Sequence, residues 1–124
     1  VVVDNEAGME HMSRLVTQDV DVLYVISDPT PRGIMTVSRI LSIIGELGLN
    51  TRKTAVIVNR VEARNEDALL RAASERSIEI TGTVRNDEAL IESDGAGNTI
   101  FELDGTSGAL SDAYAIFQKT MGEL

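Results

Sequence analysis

The first eleven residues, Val1-Val2-Val3-Asp4-Asn5-Glu6-Ala7-Gly8-Met9-Glu10-His11, end a β-branched run on a carboxylate and break at once into a small-residue turn. A buried parallel strand delivers an acid to the mouth of an open α/β sheet in this way. An acid there can hold Mg²⁺ through water. Gly8, with no Cβ, lets its amide approach a γ-phosphate oxygen. A plainer reading has Asp4 ending a strand and capping the next turn. Asn59 follows the apolar run Val56-Ile57-Val58. Its amide both donates and accepts, as the adenine edge requires, although an asparagine also serves as an ordinary turn residue. Arg60 beside it suits a solvated partner for nearby acids or a stacking surface for a base. Asp28-Pro29-Thr30-Pro31 contains both prolines of the chain and stiffens a strand-to-helix loop. His11 is the only histidine. With Met9, Glu10 and Met12 around it, it offers too few convergent ligands for a metal and reads as a helix-surface residue.

The composition restricts the function classes. The 124 residues amount to one domain or part of one, and 43% hydrophobic residues support a real core. Eleven basic residues against 20 acidic ones give a net charge of −9. Nucleic acid and anionic membrane surfaces, which need clustered Lys and Arg, are disfavoured. No apolar run approaches the ~18 residues of a spanning helix, and no secretory leader is legible. The absence of cysteine excludes disulfides and thiolate metal sites within these residues. A cytoplasmic location is expected. Aromatic content of 3%, with no Trp, argues against a carbohydrate or base-stacking surface.

These residues must be positioned by alternating strands and helices, a pattern that predicts an open, mostly parallel sheet with helices on both faces. Strands are expected at Val1–Asp4, Val22–Ile26, Thr54–Val58 and Ile78–Thr81. Helices are expected over about 10–17, 32–47 and 65–76, a turn or two over 86–93, and 107–121. Pro31 suits a helix entry. Ile34, Val37, Leu41 and Ile44 recur at helical spacing. Gly48 followed by Leu49 reads as a left-handed glycine stop. Asn65 is placed to cap the third helix, with Glu66 and Asp67 in its first turn. Leu110, Tyr114, Phe117 and Met121 line one face of the last helix. Residues 94–106 read as a glycine-bearing loop.

Taken together, these motifs resemble the MinD/ParA class of dimeric P-loop ATPases, whose second nucleotide motif is an apolar run, Asp, two variable residues and Ala/Pro-Gly. It stands here as Val1-Val2-Val3-Asp4-Asn5-Glu6-Ala7-Gly8. Within the class, Glu6-Ala7-Gly8-Met9-Glu10-His11 with Ser13-Arg14 is similar to the CooC-type ATPases that insert nickel into carbon monoxide dehydrogenase. So are Val25-Ile26-Ser27-Asp28-Pro29-Thr30, Arg39-Ile40, Leu47-Gly48-Leu49-Asn50 and Val56-Ile57-Val58-Asn59-Arg60-Val61. The family's adenine-side loop usually carries Ile-Pro-x-Asp. Thr83-Val84-Arg85-Asn86-Asp87 stands there without the proline.

The resemblance implies a P-loop NTPase-like fold, of which residues 1–124 are the C-terminal half, without the phosphate-loop strand. It implies an ATP-dependent homodimer in which Asp4 orients Mg²⁺, Gly8 reads the γ-phosphate and Asn59, with Arg60 beside it, meets adenine. Nickel and carbon monoxide dehydrogenase as client enter by the resemblance alone, because the Cys-x-Cys pair of that branch is not among these residues. By themselves these residues are expected not to hydrolyse ATP. In the class the phosphate-loop strand lies between the strands ending at Asp4 and Asp28, so its absence predicts a gap of about 9–10 Å, two strand spacings. Either the first strand re-pairs, another chain fills the gap, or the missing half lies elsewhere. Three alternatives remain: a MinD/ParA partitioning ATPase, a phospho-acceptor receiver domain, and a non-catalytic binding module. The receiver reading needs an acid where the third strand delivers Asn59-Arg60.

Overall fold

The computed structural model describes Val2, Asp4, residues 19–97 and residues 107–122. Its elements run β1 (Val20–Ser27), α1 (Pro31–Leu47), β2 (Thr51–Val61), α2 (Ala63–Glu75), β3 (Gly82–Arg85), α3 (Glu88–Gly95) and α4 (Gly108–Gly122). The three strands form one sheet in the order β1-β2-β3, and both pairings are parallel. Val25 lies opposite Val56 and Ser27 opposite Val58 on one side, and Ile57 lies opposite Gly82 on the other.

β2 is the central strand. Ala55, Val56, Ile57 and Val58 are all buried, as a strand covered on both faces requires. Val25, Val56 and Val58 pack with Ile34 and Val37 of α1, Leu69 and Ala73 of α2, and Ile78. α4 covers the opposite face. A Cβ on Gly82 would lie 2.6 Å from Ile116 Cδ1, so glycine there lets α4 close onto β3. Phe117 meets the Tyr24 ring edge-on with centroids 5.2 Å apart. The Tyr24 hydroxyl and Thr120 Oγ1 lie 2.5 Å apart. Thr120 donates its single proton to the Ile116 carbonyl at 2.9 Å, so Tyr24 is the donor in that pair.

The expected architecture is present, with shifts at its ends. Gly48 adopts φ 64° and stops α1, its amide returning to the Ile44 carbonyl. α2 begins earlier than expected. Glu62 takes the cap position, and Asn65 sits in the first turn, where its Oδ1 accepts from Glu62 N at 2.8 Å. The strand expected at Ile78–Thr81 lies instead at Gly82–Arg85. The reason is the stop of α2: Ser77 turns left-handed at φ 54°, and the Ile78 amide returns to the Ala73 carbonyl at 2.9 Å. Ile78 is thereby the buried residue that closes the helix. On α4 the buried positions are Ala109, Ile116 and Thr120, while Tyr114, Phe117 and Met121 are exposed, one helical step around from the expected inward face.

Val2 and Asp4 belong to no strand and are exposed. The rest of the expected first strand, Gly8, the helix over 10–17 with His11, and residues 98–106 lie outside the described residues. β1 pairs with β2 alone among the described strands. No described helix is long and apolar enough to cross a membrane.

Candidate functional site

Because the strands are parallel, their carboxyl ends share one edge, where open α/β sheets bind ligands. Three segments leave it. After β1, Asp28 Oδ1 accepts from Thr30 N at 3.2 Å and from Thr30 Oγ1 at 2.6 Å. Thr30 Oγ1 in turn accepts from Gly33 N at 3.0 Å and caps α1, with Pro31 at the helix entry. A Cβ on Gly33 would collide with Asp28 Oδ1 and Ser27 Oγ, so the glycine allows Asp28 to fold over the first turn. This is the loop-shaping role expected of Asp28-Pro29-Thr30-Pro31.

The second segment is a bulge in β2. Val58 lies opposite Thr83 and Val61 opposite Arg85. Asn59 and Arg60 therefore answer the single residue Val84, and the extra residue pushes this stretch out of the ladder. Arg60 takes up the turn in the left-handed region, φ 58°, a conformation costing about 1–2 kcal/mol for a residue with a Cβ. Asn59 Oδ1 accepts from Arg60 N at 2.9 Å and offsets part of that cost. Asn59 Nδ2 and the Arg60 guanidinium make no bond to any described residue, and both residues are exposed. Ser27 lies opposite Val58, so Asp28 and Asn59 leave the sheet at the same level.

The third segment follows β3. Asn86 N donates to the Val61 carbonyl at 3.0 Å, and Asn86 Nδ2 donates to Glu62 Oε1 at 2.9 Å. Arg64 Nε holds the other Glu62 oxygen. Asp87 ties two helix starts together. Its Oδ1 accepts from Ala89 N at 3.0 Å and Leu90 N at 3.4 Å, and its Oδ2 from Ser107 Oγ at 2.6 Å and Ala109 N at 3.3 Å. The Ser107 hydroxyl, and after it the Ala109 amide, hold the Asp87 carboxyl below the usual carboxylate range. Arg85 grips Asp112 of α4 with both its main chain and its side chain. Its N and Nε reach Oδ2 at 3.0 and 2.9 Å, and Nη2 reaches Oδ1 at 2.9 Å. The side-chain bond from Arg85 lowers the Asp112 pKa. The guanidinium also needs Gly108, where a Cβ would stand 2.6 Å from Arg85 Cδ. A proline at position 85 has no N–H to donate, so its absence from the loop motif is matched by this grip on α4.

The edge thus brings together Asn59, Arg60 and the Asp28 loop from the residues singled out in the sequence. Asp4 is exposed outside the sheet, and Gly8 and His11 are not among the described residues. Sequence reasoning missed Glu62, Asn86 and Asp87. Asp87 had a legible signal, an acid directly before a helix; the Glu62–Asn86 pair joins two elements and had none. The opposite edge carries an open depression of about 420 Å³ lined by Asp19, Val20, Asp21, Asn50 and Arg52. Its polar groups answer one another, Asn50 to Asp19 and Arg52 to Asp21. Among the described residues no group of three His, Cys, Asp or Glu side chains is placed to hold a metal ion.

No family model matches the chain. Individual proteins do. An uncharacterized ATP-binding protein of Methanocaldococcus jannaschii, MJ0685, is 35% identical over 103 residues, which is 83% of this chain and 41% of that protein. The carbon monoxide dehydrogenase accessory protein CooC of Rhodospirillum rubrum is 26% identical over 103 residues, 83% of this chain and 38% of its own length. The MinD cell division protein of Aquifex aeolicus superposes with a TM-score of 0.66 over 84% of this chain and 45% of its own, at 20% identity. The chain has the fold of MinD. Its sequence is similar to ATP-binding proteins and to CooC, and MinD carries the same open parallel sheet. The chain spans about two-fifths of the lengths of the two sequence relatives named here.

Proposed function

We propose that the chain is the adenine-side portion of an ATP-binding, ATP-hydrolysing accessory protein. One observation carries the reading: in a chain 35% identical to an ATP-binding protein, the bulge at Asn59-Arg60 presents, at the ligand edge of a parallel sheet, an amide nitrogen and a guanidinium that no other described residue engages. Asn59 Nδ2, which no described residue engages, would donate to a ring nitrogen of adenine while Oδ1 is held by Arg60 N. Arg60 lies against the base or its ribose. In the same reading Asp4 would hold Mg²⁺, which would neutralise the phosphate charge, and Gly8 would serve the γ-phosphate. Phosphoryl transfer rests on positioning and electrostatics, and the part assigned to the described residues is to hold the base so that the triphosphate lies along the edge.

The identity to CooC favours a role in nickel insertion into carbon monoxide dehydrogenase, exercised as a homodimer. The described residues do not themselves fit nickel: they include no group of three candidate ligands, and the 124 residues contain no cysteine. Carbon monoxide dehydrogenase would be the client, and the metal would be handled by other residues of the whole protein.

Titration of ATP with Mg²⁺ into the longest natural form of the protein tests the reading. Asn59→Ala should weaken ATP by about tenfold, the value of a buried base hydrogen bond, and leave inorganic triphosphate unaffected. A protein that contains the phosphate loop yet takes up no ATP overturns it. A parallel Ni²⁺ titration separates the two branches: ATP with nickel supports the accessory role, and ATP without nickel supports partitioning.

A further inference from the structure

We infer that Asn86 is a positioning residue for base discrimination, acting through the Asn59-Arg60 bulge. The inference rests on the adenine reading of that bulge and adds a residue to it.

A bulge with a left-handed arginine does not hold itself in place. Flat pairing would return Arg60 to the extended region and swing the Asn59 amide. The ladder must therefore be pinned on both sides of the extra residue. On the near side Val58, itself buried, pairs with Thr83. On the far side the strand has one residue left, Val61, which lies opposite Arg85, and there Asn86 closes the ladder. Its main-chain N–H takes the Val61 carbonyl at 3.0 Å. Its side-chain amide reaches the next residue, Glu62 Oε1, at 2.9 Å. Glu62 is fixed from the other side by Arg64 and by its own N–H, which donates to Asn65 Oδ1. Asn86 thus joins the end of β3 to the first turn of α2 directly behind the bulge. An aliphatic residue at 86 keeps the main-chain bond and loses the side-chain one. Glu62 then loses its tie to the end of β3, and the register that expels Asn59 and Arg60 competes with the flat one.

The test uses the ¹⁵N-labelled 124-residue chain, titrated separately with adenosine and guanosine, because nuclear magnetic resonance reads weak binding residue by residue. In the wild type, adenosine should shift the Asn59 side-chain amide and the Arg60 N–H more strongly than guanosine, and the Arg60 coupling constant should report a positive φ. Asn86→Leu should abolish the positive φ and lower the adenosine-over-guanosine preference by about fivefold, the scale of one misplaced hydrogen bond. The core amides of Val56 and Leu69 should keep their dispersion. Asn86→Asp places two carboxylates together and should act in the same direction. Combined with Glu62→Gln, it exchanges donor and acceptor, and the pair should recover both the φ and the preference. A merely structural role for Asn86 would lower stability without moving the preference. If the wild type discriminates and Asn86→Leu discriminates equally, the role of Asn86 is overturned. If Asn86→Leu does not fold, failure of the exchanged pair to recover the preference overturns it equally. If the wild type takes both nucleosides alike, the adenine reading is what fails.

Discussion

The two faces of the sheet are built from the same β2 strand and are closed to different degrees. On the first, α1 and α2 bury Ile34, Val37, Leu69 and Ala73 against Val25, Val56 and Val58, and Ile34, Val37, Val58 and Leu69 are almost wholly excluded from solvent. On the second, α4 lies over β3 and reaches β1 through Tyr24, and Tyr114, Phe117 and Met121 are exposed, as is Ile26 of β1. Packing on the first face is apolar and continuous. On the second it is fastened at points: Ile116 on Gly82, Thr120 on Tyr24, Asp112 on Arg85 and Ser107 on Asp87. A helix with too little apolar contact to fix its position is located by directional bonds, whose geometry tolerates little sliding.

The comparison can be broken most forcefully at its closed side. Leu69→Ala should destabilise the chain by about 2–5 kcal/mol in urea unfolding, whereas Phe117→Ala on the open face should cost about 1 kcal/mol. Equal losses would mean that the faces are equally closed. Next comes the α4 seat. Gly82→Ala drives a methyl into Ile116 and should cost about 1–3 kcal/mol by overpacking, with the chemical-shift changes confined to α4 and β3. Thr120→Val keeps the shape and removes the acceptor of the Tyr24 hydroxyl; a loss of about 1 kcal/mol is expected in thermal unfolding, and Tyr24→Phe should relieve it in the double variant. The smallest effect belongs to pH. Asp87 and Asp112 both titrate below their unfolded values. Their contribution is complete above the unfolded carboxylate range and is lost as pH falls through the lower folded values. Acidification below about pH 4 should therefore loosen α4 before the α1–α2 face, seen as earlier hydrogen exchange at the α4 amides.

The carboxyl edge shows the same division between what was legible and what was not. Asn59 and Arg60 could be found because an apolar run ends at Val58, and runs of that kind deliver their next residues to the ligand edge. The bulge could not, since it depends on β3 pairing at Thr83 and Arg85 rather than at Ile78–Thr81. That displacement follows from Ser77 closing α2 without a glycine, a stop with weak sequence signals. Asp87 and Arg85 stood in the right loop, yet their partners Ser107 and Asp112 lie 20 and 27 residues away. The face of α4 was misjudged for a related reason. Leu110, Tyr114, Phe117 and Met121 form the more apolar stripe by composition, but the surface under α4 accepts Ile116 over Gly82 and Thr120 at the Tyr24 hydroxyl.

Local pattern alone determined the alternation of strand and helix, the glycine stop at Gly48, the proline-bounded entry of α1 and the buried run of β2, because each depends on residues within a few positions of one another. The tertiary structure decided the register of β3, the side of α4 that turns inward and the exposed bulge at Asn59-Arg60. Those are outcomes of competition between surfaces and hydrogen-bond partners distant in the chain, and no window of sequence contains both competitors.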